Sequence, residues 1–332
     1  MALSTISTIS SRMIMPSQKS ALQMTRQRID ISGTYVSWHS SCISNDGTKL
    51  YAGCAFNQGF LYTYNISNSS WEKINISSPT NMTVAVWWRF LACDQMGTKL
   101  ITCLHDDFVY STTNSGVNWT KLDVNPSAPN TRTTWACVSC DRTFTKLFAC
   151  SIGGLYKSIN GSAWQTVIAS GFRCVSVSKN GENVVVVTTG QVRVSYDGGD
   201  TWNTVTTITS AVGPCCCIGN DGVAYVGLQN NVVLRLAKNA TTMTTVISTS
   251  QTYYACACSA DGSRIIVTSD SNSGDVFIST DSGTNWINYR PYIWAQFGSL
   301  VGWKTVAITE DGTKFILGQG NNNGNIIVGT LA

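Results

Sequence analysis

One phrase is written seven times along this chain: SNDGTKLYAG (44–53), DQMGTKLITC (94–103), DRTFTKLFAC (141–150), SKNGENVVVV (178–187), GNDGVAYVGL (219–228), SADGSRIIVT (259–268) and TEDGTKFILG (309–318). Its turn position is held by Gly47, Gly97, Phe144, Gly181, Gly222, Gly262 and Gly312, so the copies lie 50, 47, 37, 41, 40 and 50 residues apart. That spacing fits a four-stranded propeller blade of about 40–50 residues. A copy opens with a strand of small residues, with Cys in all but the last, such as SWHSSCIS (37–44), and the turn is an Asp-Gly pair in four copies. It continues with strands such as KLYAGCA (49–55), FLYTYN (60–65) and WEKINI (71–76). Units of this kind start near residues 37, 84, 133, 172, 211, 252 and 301. The strands alternate with period two, and no stretch sustains the 3.6-residue period of an amphipathic helix. The expected fold is all-β: one seven-bladed β-propeller over residues 21–332, preceded by an N-terminal arm, 1–20.

The last unit has only its second and third strands, KFILGQG and NIIVGT, before the chain reaches Ala332. An unpaired sheet edge there would leave a row of backbone groups without partners. The segment of about 21–31 is therefore expected to supply the missing outer strand and close the ring. The arm would then be held in place by a structural role.

Composition narrows the class. Charged residues are 12% of the chain, against roughly 25% in an ordinary soluble domain. The net charge of +4 does not argue for nucleic acid, and 22 basic residues spread over seven units form no dense stripe. No run reaches the roughly 18 apolar residues of a membrane span. The leader has no secretory apolar core; its basic, acid-free, Ser/Thr-rich character is compatible with organellar targeting. Ten of the thirteen cysteines fall in first strands and three, Cys54, Cys103 and Cys150, in second strands. That placement is expected of small buried side chains, and it favours a reducing compartment over a disulfide framework.

A second motif joins third and fourth strands: SYDGGDTW (195–202), STDSGTNW (279–286), TTNSGVNW (112–119) and the shorter SINGSAW (158–164). Its residues are Asp197, Gly199 and Trp202; Asp281, Gly283 and Trp286; Asn114, Gly116 and Trp119; and Asn160 with Trp164. Asp or Asn can accept hydrogen bonds from its own turn while the Gly takes a positive φ. The motif resembles the Asp-box, or BNR, repeat of sialidase-type propellers, and is similar to that of Ycf48-type photosystem II assembly factors and sortilin-type receptor propellers. The resemblance implies a seven-bladed fold in which this turn is a folding element away from the ligand face. A sialidase-like hydrolase would also need a Tyr nucleophile activated by Glu, but the only glutamates are Glu72, Glu182 and Glu310, in turns or on an outer strand. With two histidines, His39 and His105, a multi-His metal site is excluded within one chain. No cofactor motif is present, and no catalytic residue is assigned.

Alignment on the turn position gives the candidate site. Nine residues before it stand Trp38, Trp88, Trp135, Phe172, Gly213, Tyr253 and Trp303; the next column reads His39, Arg89, Ala136, Arg173, Pro214, Tyr254 and Lys304. First strands line a propeller's central channel, so each column is a ring near one mouth. Two expectations follow: the aromatics wedge between blades, or with His39, Arg89, Arg173 and Lys304 they form a cationic, aromatic mouth. Such a mouth would hold a glycan or an acidic ligand. PYIWAQF (291–297), with Tyr292, Ile293 and Trp294, is the expected partner-contact loop, alongside residues 77–83 and 124–132. The leading reading is a non-catalytic interaction or assembly scaffold with protein partners, as in a virion or photosynthetic assembly. A carbohydrate-binding propeller is second, and a sialidase-like hydrolase third.

Overall fold

The computed structural model describes residues 22–28, 37–55, 59–65, 70–76, 86–188, 190–208, 215–228, 232–249, 251–270, 274–300, 302–320 and 325–331. They form seven four-stranded antiparallel sheets, six of them built from consecutive strands. The seventh has the order 22–28, 325–331, 314–319, 303–308. First strands begin at Ser37, Trp88, Trp135, Phe172, Cys215, Tyr253 and Trp303. Each packs beside the first strand of the next blade, and that of blade 7 beside that of blade 1, so the ring closes around an axis.

Closure works as the truncated last repeat requires. Leu22–Arg28 pairs antiparallel with Asn325–Leu331, from Leu22 opposite Leu331 to Arg28 opposite Asn325. Leu22 and Met24 are buried in the cluster that contains Ile293, Phe315 and Ile327. PYIWAQF, expected as an exposed loop, is instead the helix Arg290–Phe297. Pro291 presets φ in its first turn. Ile293 is buried, and Tyr292 and Trp294 are half-buried against the same cluster. The Trp294 indole donates to Leu300 O at 2.9 Å, and Gln296 Nε2 donates to Met24 O at 3.3 Å. Arg26 donates back to Phe297 O at 2.9 Å. The segment therefore clamps the N-terminal strand.

The repeated Asp-Gly turns join blade to blade around one mouth. Main-chain N–H groups of Asn45, Gln95, Arg142, Asn220 and Ala260 donate to carbonyls of Gln95, Arg142, Lys179, Ala260 and Glu310, at 2.7–3.0 Å. Asn180 N–H donates to the Asn220 side chain at 2.9 Å, and Lys314 Nζ to Asp46 O at 3.1 Å, completing the circuit. Phe144 keeps the left-handed conformation of the glycines it replaces, with φ 60°.

Second-strand glycines make room for the aromatic column. A Cβ on Gly53 would lie 2.5 Å from the Trp88 side chain of the next blade, and one on Gly318 would lie 2.9 Å from that of Trp38. The thirteen cysteines are all free, and all but Cys256 are buried. Burial pushes the Cys54 and Cys103 thiols up to about 12, as for inert packing groups.

Candidate functional site

Six of the seven first strands carry a β-bulge at the same place. Register slips between Trp38 and Ser40, Trp88 and Phe90, Trp135 and Cys137, Phe172 and Cys174, Tyr253 and Ala255, and Trp303 and Thr305. The extra residues are His39, Arg89, Ala136, Arg173, Tyr254 and Lys304. A bulge bends its strand and re-aims the extra side chain, and such features gather at functional rims. The corresponding positions of blade 5, Gly213 and Pro214, lie outside the described residues, as does the loop 77–83.

The two aligned columns thus part company. Trp38, Trp88 and Trp303 have no exposed surface and Trp135 has 2%, so these indoles wedge between blades. Trp88 Nε1 donates to Gly59 O at 2.7 Å and Trp303 Nε1 to Gly274 O at 3.1 Å, each reaching the preceding blade.

The bulge residues of blades 7, 1, 2 and 6 converge at the mouth on the loop face, the face opposite the Asp-Gly turns. Lys304 Nζ lies 3.5 Å from Asp270 Oδ2 and 5.2 Å from the centre of the Tyr254 ring. Burial raises the Tyr254 hydroxyl above its usual range; the Asp270 charge adds to the rise and Arg89 opposes it. His39 is buried, and its imidazole is pushed down to about 3 by that burial and then by Lys304 and Arg89. It is therefore neutral near pH 7, and the cationic character rests on Arg89 and on Lys304, whose charge Asp270 partly offsets. Beside them Trp87 meets His39 edge-on at 5.5 Å and stacks on His105 at 4.3 Å. His105 Nδ1 lies 3.0 Å from Asp106 Oδ2. Sequence reasoning passed over Trp87 and His105, although the Trp-Trp pair at 87–88 signals one indole directed inward and one outward.

Arg173 does not join this cluster. It is exposed and lines a separate groove near blades 3 and 4 with Ile152, Gly190 and Arg193. The channel between the mouths holds a cavity of about 150 Å³ lined by first-strand residues of all seven blades. At the far mouth Arg142 donates to Glu310 at 3.0 Å, linking blades 3 and 7 across the ring.

The aspartates of the third-strand-side loops are engaged within the fold. Asp106 accepts from Thr134 Oγ1 at 2.7 Å, and Asp107 accepts from the Tyr110 hydroxyl at 3.2 Å. Asp275 pairs with Arg290 at 3.1 Å. Among the described residues no group of three His, Cys, Asp or Glu side chains could hold a metal.

The repeated Trp-ended turns share one geometry on the opposite face. Asp197 Oδ1 accepts from Ser195 Oγ at 2.6 Å and from Thr201 N–H at 2.9 Å, while Gly199 N–H donates to Ser195 Oγ at 2.8 Å. Trp202 Nε1 then donates to Gly199 O at 3.2 Å. Asp281, Gly283 and Trp286, and Asn114, Gly116 and Trp119, repeat the last of these bonds at 3.1 and 2.8 Å. In the shorter copy Asn160, at φ 57°, takes the left-handed place that Gly198, Ser115 and Ser282 hold in the others, and Trp164 is buried, but Ser158 donates to Ser162 O instead. Gly199, at φ 90°, sits where a Cβ would meet Phe148 of blade 3 at 2.9 Å, so the turn also seals two blades together.

Partial burial raises the Asp197 carboxyl, but donors from Ser195, Thr201 and Asp200 outweigh it and hold the carboxyl well below the usual aspartate range. Its contribution to stability is therefore present above the ordinary aspartate pKa and is lost as pH falls through the depressed folded value. Asp197→Ala should cost about 1 kcal/mol at neutral pH. Thermal unfolding should show the difference from wild type shrinking as pH is lowered below about 4.

No protein-family profile matches the chain, and no characterised protein sequence matches it. Solved structures do. A structure of YCF48 bound to D1 peptide superposes with TM-score 0.65 at 11% identity, over 93% of this chain and 97% of that one. YCF48 from Cyanidioschyzon merolae gives 0.63 at 12%, over 91% and 98%. The WD40 repeats of RRP9 give 0.69 at 9%, over 95% and 98%. At these identities the likeness shows the seven-bladed fold.

Proposed function

We propose that this propeller is a non-catalytic interaction module of a larger assembly that holds an acidic segment of a partner protein at its loop-face mouth. The observation that carries this reading is the set of equivalent bulges, which directs Arg89 and Lys304 to one mouth beside Tyr254 and Trp87. Arginine and lysine recognise carboxylates through charge-assisted hydrogen bonds, and exposed aromatic surface adds apolar contact. Closure of the four indoles between blades favours a carboxylate over a stacked sugar. A propeller of this shape, YCF48, is known bound to a peptide.

The test is a titration of a fluorescein-labelled peptide of glutamate and leucine residues, read by fluorescence anisotropy. Arg89→Gln and Lys304→Gln should each weaken the mouth-bound component about tenfold, and added salt should weaken it further. A double variant that binds as the wild type does would overturn the reading.

A further inference from the structure

Arg173 and Arg193 lie together away from the mouth. Arg173 is the bulge residue of blade 4's first strand; Arg193 sits on its third strand, Gln191–Ser195. Both line a groove of about 640 Å³ with Ile152, Gly171, Gly190 and Gln191. Neither guanidinium forms an ion pair among the described residues. Arg193 is nevertheless fixed: its Nε and Nη2 donate to Gln191 Oε1 at 3.3 and 3.0 Å, so both N–H groups of Nη1 and the second N–H of Nη2 are left for another acceptor. A Cβ placed on Gly190 would meet nothing within 4 Å, so the groove is open at that point. At its rim Ile152, in the tight turn between the second and third strands of blade 3, is 62% exposed.

We infer that this groove is a second recognition site, built for an extended peptide segment in which acidic side chains stand next to an apolar one. Two guanidiniums without acidic partners leave an excess of positive charge that carboxylates neutralise with bidentate geometry. An exposed isoleucine beside them gives an apolar neighbour a surface to cover. Gln191 orients Arg193 beforehand, which reduces the side-chain ordering lost on binding. The inference goes beyond the mouth reading and does not depend on it, because the groove shares neither Arg89 nor Lys304.

The experiment uses the full chain carrying Arg89→Gln and Lys304→Gln, so that only the groove is available to the Glu/Leu peptide. Binding should persist in this background and fall about tenfold on adding Arg173→Gln or Arg193→Gln. Arg193→Lys should recover part of the loss, since it keeps the charge but not the fork. Amidation of the peptide's C-terminus should leave affinity unchanged, as side-chain carboxylates are the ligand. No binding in the background, or binding indifferent to Arg173→Gln and Arg193→Gln, overturns the groove. A tenfold preference for the phosphoserine version of the peptide, or loss on amidation, overturns the assignment of its ligand. Mouth and groove fail separately: wild-type affinity that drops only with Arg89→Gln and Lys304→Gln sinks the groove, and affinity that drops only with Arg173→Gln and Arg193→Gln sinks the mouth.

Discussion

A chain lacking residues 1–31 is expected to lose its cooperative unfolding transition near the wild-type temperature and to self-associate. The N-terminal strand is the fourth strand of blade 7, in register with all of Asn325–Leu331. Removing it exposes that strand as an edge whose unpaired N–H and C=O groups invite another chain. It also uncovers the surface that Leu22 and Met24 occupy, each worth about 1.5–3 kcal/mol of apolar burial. The helix Arg290–Phe297 loses the strand it clamps as well. Together these losses are a large share of the roughly 5–15 kcal/mol that stabilises a folded domain. Thermal unfolding with size-exclusion chromatography reads the outcome, and a synthetic peptide spanning residues 20–32 should restore the transition. A truncated chain that stays monomeric and melts with the wild type would show that the ring does not need this strand.

The second large effect is expected at Trp88. Its side chain is fully buried, sits against Gly53 of blade 1, donates to Gly59 O, and meets the Trp119 ring at 5.5 Å. Trp88→Ala leaves a void between two blades and takes from Gly59 O the shorter of its two hydrogen bonds, leaving the Val86 N–H at 3.3 Å, and should cost about 3–5 kcal/mol. For a chain of 332 residues that is a fall in Tm of roughly 4–7 °C. Arg89→Gln, one residue away, should change stability by no more than about 0.5 kcal/mol, because its side chain points from the bulge toward the mouth. Urea unfolding of the two variants separates the wedge from the site. Comparable losses in both would mean that Arg89 is a packing residue.

The repeat was legible because backbone conformation demanded it. Glycine holds six of the seven first turns in left-handed conformation, and only Phe144 departs from the pattern. Closure by the N-terminal strand was legible for a negative reason, as the seventh unit ran out of chain. The site was half legible. Alignment found the columns of Trp88 and Arg89, yet period-two reasoning could not show that a bulge sends one inward and its neighbour to the mouth. His39 was counted with the cations, whereas burial and the adjacent Arg89 and Lys304 keep it neutral. Arg193 carried no signal, because its place in a groove depends on Ile152 of the preceding blade. The helix at 290–297 escaped notice because eight residues make about two turns, too few for a 3.6-residue period to stand out.

The repeated SYDGGDTW turn holds its blade on the face opposite the mouth, and that division of labour is the central claim. It is tested most directly by a photo-cross-linking version of the Glu/Leu peptide, with attachment sites located by mass spectrometry. The expected result is attachment on the loop face, at residues around Trp87, His105 and Tyr254 or around Ile152 and Gly190. Attachment concentrated around Met96, Ser115, Asp197 and Ser282, on the face of the turns, would contradict it.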